Sequence, residues 1–301
     1  MVRLTWDTRG DHSWAPQDWQ RTAWTIKKRR HKVRSNTPEA KVTQTRTVIC
    51  MKWGTLYSTA YVNVLYRAVR AQLTGPFRFV CLTEDAAGLD PAIDAFPIPE
   101  MGLAESHWKK GGWAKLSVFK KELYDITGRC LFIDLDSVIT GPLDDLFDYG
   151  GDIAVIDVGE NWIKSRHNAR PLAGTGVFTF TAGAHPELFD RFVADRDAMV
   201  AKYRIEQIYL QGEVADGTLA FWPLEWVLSF KYHLRRPVGL GAVLRPAPPP
   251  ATTRIVAFHG EPRPIDLVRA GWWGIFPHVG RGRVKWMMDY WARYGGDLDQ
   301  D

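Results

Sequence analysis

Apolar runs of strand length alternate with stretches of helical periodicity along most of the chain. The first run, TVICMKW from Thr47, is followed from Thr55 by apolar residues spaced four apart in two adjacent lines, which predict one face of a helix that stops at Gly75-Pro76. The apolar run FRFVCLT follows at once. This order of strand, helix and strand predicts a βαβ unit.

The same alternation continues toward the C-terminus. Helical spacing predicts a helix from Trp113 to Ile126, a charged helix from Pro186 to Tyr203, and a last helix in VKWMMDYWARY. The aromatic face of the last helix is expected to pack into the core, with a membrane anchor as the alternative. Further strands are predicted from the runs CLFI before Asp134, IAVID (153–157), GVFTFTA (176–182), LAFWPL (219–224) and RIVAFH (254–259). The pattern predicts one α/β domain over residues 46–301.

Residues 1–45 differ from this domain. They carry four tryptophans and a basic run from Lys27 to Arg34. The pattern predicts a basic, tryptophan-rich N-terminal arm. It is either a solvated, partly disordered segment or a grip on an anionic acceptor or membrane surface.

Composition narrows the class of protein. Hydrophobic residues make up 46% of the 301 residues, which supports a packed core, and the net charge of +5 with a pI near 9.0 favours anionic partners. No apolar run reaches the length of a bilayer span, and the N-terminus lacks a signal-peptide pattern. Cys50, Cys81 and Cys130 each lie in a strand-like run, as reduced core cysteines do. We therefore expect a cytoplasmic protein, with peripheral membrane contact left open.

Two carboxylates, Asp134 and Asp136, close the apolar run CLFI. Side chains two apart on a strand share a side, and open parallel sheets bind ligands at the carboxyl edge of their strands. Two aspartates held close repel each other, which a divalent cation relieves. The alternative is a strand that runs into a loop with both aspartates solvated.

The Asp-x-Asp sequence also suggests a haloacid-dehalogenase-type phosphatase with Asp134 as nucleophile. Gly151, Asp152 and Asp157 imitate the acidic motif of that family. The spacing argues against this interpretation, because 133 residues precede Asp134 and no lysine lies between Asp136 and Asp152.

Several stretches taken together resemble another class of enzyme. In chain order they are ICMKWG, FVCLTED, GGWAKLSVF, LFIDLDSVITGPLDDLF, GTGVFTF, EQIYLQ, FWPLEWVLSFKYH and VAFHGEPRPID. Over about residues 47–266 the chain resembles GT-A glycosyltransferases, most of all family 8 and related bacterial and phage enzymes. The resemblance implies a GT-A (Rossmann-like) mixed, mostly parallel sheet flanked by helices. It also implies metal-dependent transfer of a hexose-like sugar from a nucleoside diphosphate donor, foremost a UDP-sugar, with retention of configuration.

The resemblance also implies a metal site. Asp134, Asp136 and His259 stand where the family holds Mn²⁺ or Mg²⁺ against the donor diphosphate, and mixed oxygen and imidazole ligands suit Mn²⁺ somewhat better. Gly260 follows this histidine, and Arg263 stands where the family has a lysine on the diphosphate. Its guanidinium suits bidentate phosphate binding.

Further donor contacts are implied at other strand ends and helix starts. Lys52, Trp53 and Gly54 end the first strand, Glu84 and Asp85 end the second, and Lys115 opens the helix before the metal strand. The family places the nucleotide base and ribose near the first two sites. Lys115 is expected to reach phosphate or ribose.

The last implied contacts surround the transferred sugar. Gly174, Thr175 and Gly176 replace the more usual Asn-Ser-Gly, which removes an amide expected to contact the sugar. Glu206 and Gln207 match a usual Asp-Gln pair near the reacting carbon. The acceptor is not identified: a glycan, a lipid-linked sugar and modified DNA all fit. A rival class of protein also fits the sequence: a nucleic-acid-binding protein that uses Lys27 to Arg34 and has a degenerate enzyme core.

Overall fold

The structure, a computed structural model, describes residues 46–159, 162, 171–238 and 240–296. The predicted N-terminal arm lies outside this range, so the division into arm and domain stays a prediction. Within the described part of the chain, no helix combines the length and the apolar character that crossing a bilayer requires.

Strands and helices alternate much as the sequence predicts. The strands are β1 (Arg46–Lys52), β2 (Phe77–Thr83), β3 (Asp94–Phe96), β4 (Arg129–Ile133), β5 (Ser137–Ile139), β6 (Ile153–Asp157), β7 (Ala173–Thr181), β8 (Leu219–Phe221), β9 (Val227–Ser229), β10 (Ile255–Ala257), β11 (Trp272–Trp273) and β12 (Gly280–Arg281). The α-helices are α1 (Thr59–Gln72), α2 (Glu105–Lys109), α3 (Asp144–Asp148), α4 (Pro186–Ala194), α5 (Arg196–Tyr203), α6 (Glu206–Glu213) and α7 (Lys285–Arg293). Short 3₁₀ segments cover Trp113–Phe119, Leu240–Ala242 and Pro264–Leu267, and a π-helical turn covers Phe230–Leu234.

The main sheet has the strand order β3-β2-β1-β4-β7-β6-β8. Strand β1 pairs in parallel with β2 and β4, and β3 and β8 also pair in parallel with their neighbours. Strand β7 is antiparallel to both β4 and β6. The sheet is therefore mixed and mostly parallel, and helices pack on both of its faces. This confirms the predicted fold class, and the predicted βαβ unit is β1-α1-β2.

Alternate residues of β1 enter separate cores. Val48 and Cys50 pack in the core that contains α1, whereas Ile49 and Met51 pack in the core that contains Trp113. All three cysteines are buried and free, as the sequence predicts. Burial raises the pKa of the Cys130 thiol to about 12, so it stays protonated.

A smaller sheet begins just beyond the carboxyl end of β4, an interior strand of the main sheet. Its order is β5-β10-β9, with β10 antiparallel to β5 and parallel to β9. Since β5 follows β4 after a short turn, this sheet brings residues 229 and 258–260 beside the carboxyl end of β4. Residues more than 120 positions apart along the chain meet in this way.

Three predicted helices are corrected. The first begins at Thr59, not at Thr55, because residues before Ser58 remain outside the helix and Leu56 is exposed. The second is a 3₁₀ segment that ends at Phe119. Beyond it Lys120 is extended, and Leu123 and Ile126 are buried without helical backbone. The third is divided at Asp195 into α4 and α5.

Candidate active site at the carboxyl edge of the sheet

A cavity of about 450 Å³ opens at the carboxyl end of β4. Ten of the residues singled out in the sequence line it: Lys115, Asp134, Asp136, Gly174, Thr175, Gly176, Glu206, Gln207, His259 and Gly260. A second groove, beside the amino end of β2, contains none of them. The cavity is therefore the candidate active site.

A turn, rather than strand alternation, places the two aspartates. Strand β4 ends at Ile133, and Ser137 N donates to the Asp134 carbonyl at 3.1 Å. Backbone bonds hold the turn from both sides: Asp134 N donates to Gly176 O at 2.8 Å, and Phe258 N donates to Asp136 O at 3.0 Å. The two aspartates therefore do not lie on a strand as predicted, but both line the same cavity.

A buried ionic network surrounds Asp134. Lys115 Nζ lies 2.6 Å from Asp134 Oδ2 and 3.7 Å from Glu206 Oε1, and the Thr175 hydroxyl donates to Glu206 Oε1. Burial raises the pKa of Asp134, although Lys115 opposes this. Burial lowers the pKa of Lys115, but Asp134 and Glu206 raise it more, so the ammonium stays charged. Lys115 is thus engaged by carboxylates, where phosphate or ribose was expected.

Nearby cations offset the negative charge of Asp136 less than they offset that of Asp134. Burial and the neighbouring Asp134 raise its pKa to about 7. The Tyr57 hydroxyl donates to Asp136 Oδ2 at 3.3 Å, and burial followed by Asp136 raises the pKa of Tyr57, so this phenol remains a donor. Tyr57 falls in the apolar spacing that predicts a helix from Thr55, and no sequence pattern indicates its contact with Asp136. Because the carboxylates outnumber the cations beside them, the cavity favours an added cation.

Another side of the cavity is lined by the end of β10 and the residues after it, 257–260. His259 Nε2 lies 2.7 Å from Ser229 Oγ, and its ring stacks between Trp162 and Tyr232 at centroid distances of 5.2 and 5.5 Å. Burial, then Lys231 and the neighbouring histidines, lowers the pKa of His259 to about 4. The imidazole is therefore neutral at physiological pH.

Lys231 was not predicted. Its Nζ donates to the carbonyl of His259, and it lies 3.5 Å from the point that a Cβ on Gly260 would occupy. Burial lowers the pKa of Lys231, while Asp136 raises it. A cation thus stands beside the part of the cavity lined by His259 and Gly260. The signal was present in SFKYH, a stretch within the resemblance, but no spacing rule separated this lysine from an ordinary surface one.

The predicted metal ligands meet in part. Among the described residues, no three His, Cys, Asp or Glu side chains are grouped to hold a metal ion. Asp134, Asp136 and His259 line one cavity, but His259 Nε2 faces Ser229. Two carboxylates with raised pKa values suit a divalent cation that takes its other ligands from phosphate and water. The donor set fits this kind of cation, and the metal stays a prediction.

Six predicted donor contacts lie outside the cavity lining. Gly54, at φ +59°, donates its N–H to Glu84 Oε1 at 2.8 Å, so the ends of β1 and β2 do meet as expected. The remaining four are engaged as follows: Lys52 is buried at the end of β1, Trp53 Nε1 donates to Trp108 O at 3.1 Å, Asp85 Oδ1 accepts from Ala87 N at 2.9 Å, and Arg263 pairs with Asp266 at 3.3 Å. Their role toward a nucleotide stays a prediction.

The two glycines of the Gly-Thr-Gly sequence differ in what surrounds them. A Cβ on Gly174 would collide with Val158, near a register shift between Val155 and Ile156. A Cβ on Gly176 would lie 3.5 Å from Asp134 Oδ2. Gly174 is therefore required by packing, whereas Gly176 keeps space open beside the carboxylate.

Comparison with known proteins identifies the fold. No protein-family model matches the chain, and no curated protein matches its sequence. The bifunctional glycosyltransferase WbbM aligns with a TM-score of 0.55 and 14% identity over 86% of this chain and 51% of its own. The glycosyltransferase GlyE of Streptococcus pneumoniae TIGR4 aligns with a TM-score of 0.52 and 12% identity over 84% of this chain and 62% of its own. This chain thus spans between half and two thirds of those two proteins, and it has the GT-A fold that they share.

Proposed function

We propose that the protein is a metal-dependent glycosyltransferase that moves a sugar from a nucleoside diphosphate sugar, foremost a UDP-sugar, to an acceptor. The observation that carries the proposal is the cavity itself. It joins Asp134 and Asp136 to a glycine-bearing strand, the Glu206-Gln207 pair and His259, at the sheet edge where α/β folds bind ligands. The fold shared with WbbM and GlyE supports the same class of reaction.

The two aspartates would hold Mn²⁺ or Mg²⁺. Such a cation neutralises charge that develops on a leaving diphosphate. Lys231 would then contact the diphosphate from the other side of the cavity. Its ammonium is partly buried, and among the carboxylates Asp136 raises its pKa the most. Arg263 is the alternative contact, and its pairing with Asp266 and Leu56 O makes it the less available of the two.

The transferred sugar would lie against Gly176 and Gln207. Thr175 and Lys115 fix the Glu206 carboxylate, which is buried, so Glu206 positions the start of α6. Gln207 follows on the same helix, lines the cavity, and is the member of the pair that would face the reacting carbon. Retention of configuration remains a proposal from the family resemblance.

A donor-hydrolysis screen tests this proposal without an acceptor. The purified protein, with Mn²⁺, is offered a panel of nucleoside diphosphate sugars, and release of the nucleoside diphosphate is measured. We expect release from a UDP-sugar and no release of phosphate from p-nitrophenyl phosphate. Phosphatase activity that Asp134→Asn abolishes would replace the transferase with the phosphatase interpretation.

A further inference from the structure

Exposed apolar side chains of the described chain are concentrated in one region. Of the twelve large apolar side chains that are exposed there, seven lie within residues 238–244 and 272–276. Six of these seven form one patch: Leu240, Val243, Leu244, Trp272, Ile275 and Phe276. The most exposed, Val243 and Phe276, keep 78% and 73% of their surface in solvent. We call this region the apolar patch.

The two segments of the apolar patch touch each other. Gly241 lies against the Val279 carbonyl with no room for a Cβ, and Arg245 donates from Nη1 to the Arg281 carbonyl. The hairpin β11–β12 is anchored by Trp273, which is buried and donates to Gly282 O at 3.0 Å. Since neighbouring strand residues point to opposite sides, Trp272 faces solvent. The patch is therefore a fixed surface on a supported hairpin.

Arginines surround the apolar patch without acidic partners. The Arg281 guanidinium lies 5.8 Å from the centre of the Trp272 ring, and Arg236 Nε donates to Arg245 O at 2.8 Å. The sequence contains 34 acidic residues, yet none between residues 226 and 260 or between 267 and 288. Among the described residues, none of these three arginines pairs with a carboxylate. The region is thus both apolar and positively charged.

This combination matches the interface of an anionic bilayer. Tryptophan, phenylalanine and aliphatic side chains enter the boundary between headgroups and acyl chains, while arginines beside them contact anionic headgroups. A second copy of the chain would oppose arginine with arginine. A nucleic acid backbone would leave Val243 and Ile275 without a partner. Charge and apolar surface together favour a lipid surface.

The apolar patch lies next to the cavity. His278 belongs to the same hairpin, its ring meets Tyr232 edge-on at 5.7 Å, and Tyr232 stacks on His259 in the cavity lining. We propose that the apolar patch docks on anionic membrane surfaces and holds the cavity beside the headgroups. A consequence is that the acceptor is presented at the bilayer, and this consequence rests on the proposed function.

Sedimentation with vesicles tests the docking. Full-length protein is mixed with neutral phosphatidylcholine vesicles or with vesicles that contain 30% phosphatidylglycerol, a composition of roughly the anionic content that draws basic surfaces. We expect binding to the anionic vesicles that weakens as salt rises. The double variant Val243→Asp/Ile275→Asp should lower the partition coefficient about 10-fold, and Arg281→Glu about 5-fold.

Matched variants elsewhere serve as controls. Val193→Asp on α4 and Lys121→Glu place an acidic side chain at an exposed apolar and an exposed basic position far from the patch in sequence, and they should leave vesicle binding unchanged. Thermal unfolding of each variant shows whether it is folded.

Three results would overturn the proposal: no vesicle binding, equal loss in the control variants, or self-association without lipid that Val243→Asp/Ile275→Asp abolishes. Stronger competition by a DNA duplex than by anionic vesicles would assign the surface to nucleic acid instead. Donor hydrolysis without vesicles is measured in parallel. A protein that hydrolyses donor but ignores vesicles loses only this inference. One that binds vesicles without hydrolysis keeps the docking and loses the proposed function together with the acceptor at the bilayer.

Discussion

The two sides of the cavity carry opposite charge. One wall is acidic: Asp134, after β4, and Glu206, at the start of α6, flank Lys115 from the 3₁₀ segment. The other wall contains His259, which follows β10, with Lys231 from the turn after β9 beside it. Asp136 stands between the walls, because its carbonyl accepts from Phe258 N and its charge raises the pKa of Lys231.

This difference separates two tasks that a sugar-nucleotide site must perform. The acidic wall has more negative charge than Lys115 neutralises, and it suits a cation. The opposite wall has a lysine and a neutral imidazole, which suit the oxygens of a diphosphate. The comparison predicts that changes on the acidic wall alter metal dependence, whereas changes on the other wall alter donor affinity.

The largest effect is expected from Asp134→Asn. Loss of one carboxylate weakens cation binding and leaves Lys115 without its nearest partner, so donor hydrolysis should fall about 1000-fold or more, the scale of several kcal/mol of lost charge stabilisation. UDP release measures this, with thermal unfolding as the check on folding. Asp190→Asn, at an exposed position of α4, is the matched control. Activity that survives in Asp134→Asn would remove the acidic wall from the reaction.

The next effect compares two cations. Lys231→Ala should raise the KM for the donor about 30-fold, within the range of a lost hydrogen bond to a charged group, whereas Arg263→Ala should change it less than about 3-fold. The reason is that Arg263 already pairs with Asp266, while Lys231 stands beside Gly260. Steady-state kinetics over donor concentration distinguish the two. The reverse ranking would return the diphosphate to Arg263.

Local pattern was enough to predict the acidic wall. Strand-length apolar runs end at Lys52, Thr83 and Ile133, and parallel pairing brings such ends to one edge. The Asp-x-Asp, the glycine pair and Glu206-Gln207 are each a short run of neighbouring residues. The family resemblance therefore identifies all three. Even so, the aspartates are placed by a turn, which periodicity does not reveal.

The opposite wall depends on long-range pairing. Ser229 meets His259 only because β9 and β10 pair in parallel across a connection of more than 20 residues. Tyr57 reaches Asp136 only because the chain bends over residues 54–57 and enters the helix after Ser58. Neither fact has a local signature. His259 was found through its motif, while its partners Ser229, Trp162 and Lys231 were not.

His259→Ala tests whether the imidazole serves the metal or the wall. If it ligates the cation, the Mn²⁺ concentration for half-maximal activity should rise about 10-fold, as for a lost coordinating or supporting group. Ser229→Ala is the matched variant, because it removes the contact at Nε2 and retains the ring. Unchanged Mn²⁺ dependence in His259→Ala, with an altered donor KM, would assign the histidine to the diphosphate side.

The glycine pair separates folding from chemistry on one strand. Gly174→Ala should destabilise the protein by about 1–3 kcal/mol through overpacking against Val158, with near-normal activity in the folded fraction. Gly176→Ala should leave stability nearly unchanged and lower activity about 5-fold, a loss of about 1 kcal/mol, because the methyl group enters the space beside Asp134. Chemical denaturation and UDP release measure the two quantities. If both variants lose the same stability and keep the same activity, Gly176 is required by packing and does not face the donor.

The smallest effect is a change in the stability of the protein at acid pH, and it concerns His278. Burial, then Arg235 and Lys231, lowers the pKa of His278 to about 4, below the value of about 6.5 expected when unfolded. Between these values the unfolded chain binds the extra proton, so His278 makes the protein less stable as pH falls from about 6.5 to 4. His278→Asn should therefore lose less Tm than the wild type between pH 7 and pH 4.5. His107→Asn on α2 controls for removal of an imidazole elsewhere. A wild-type loss of Tm that His278→Asn reproduces in full would place the acid response in other groups whose pKa folding lowers, such as His259 and Glu213.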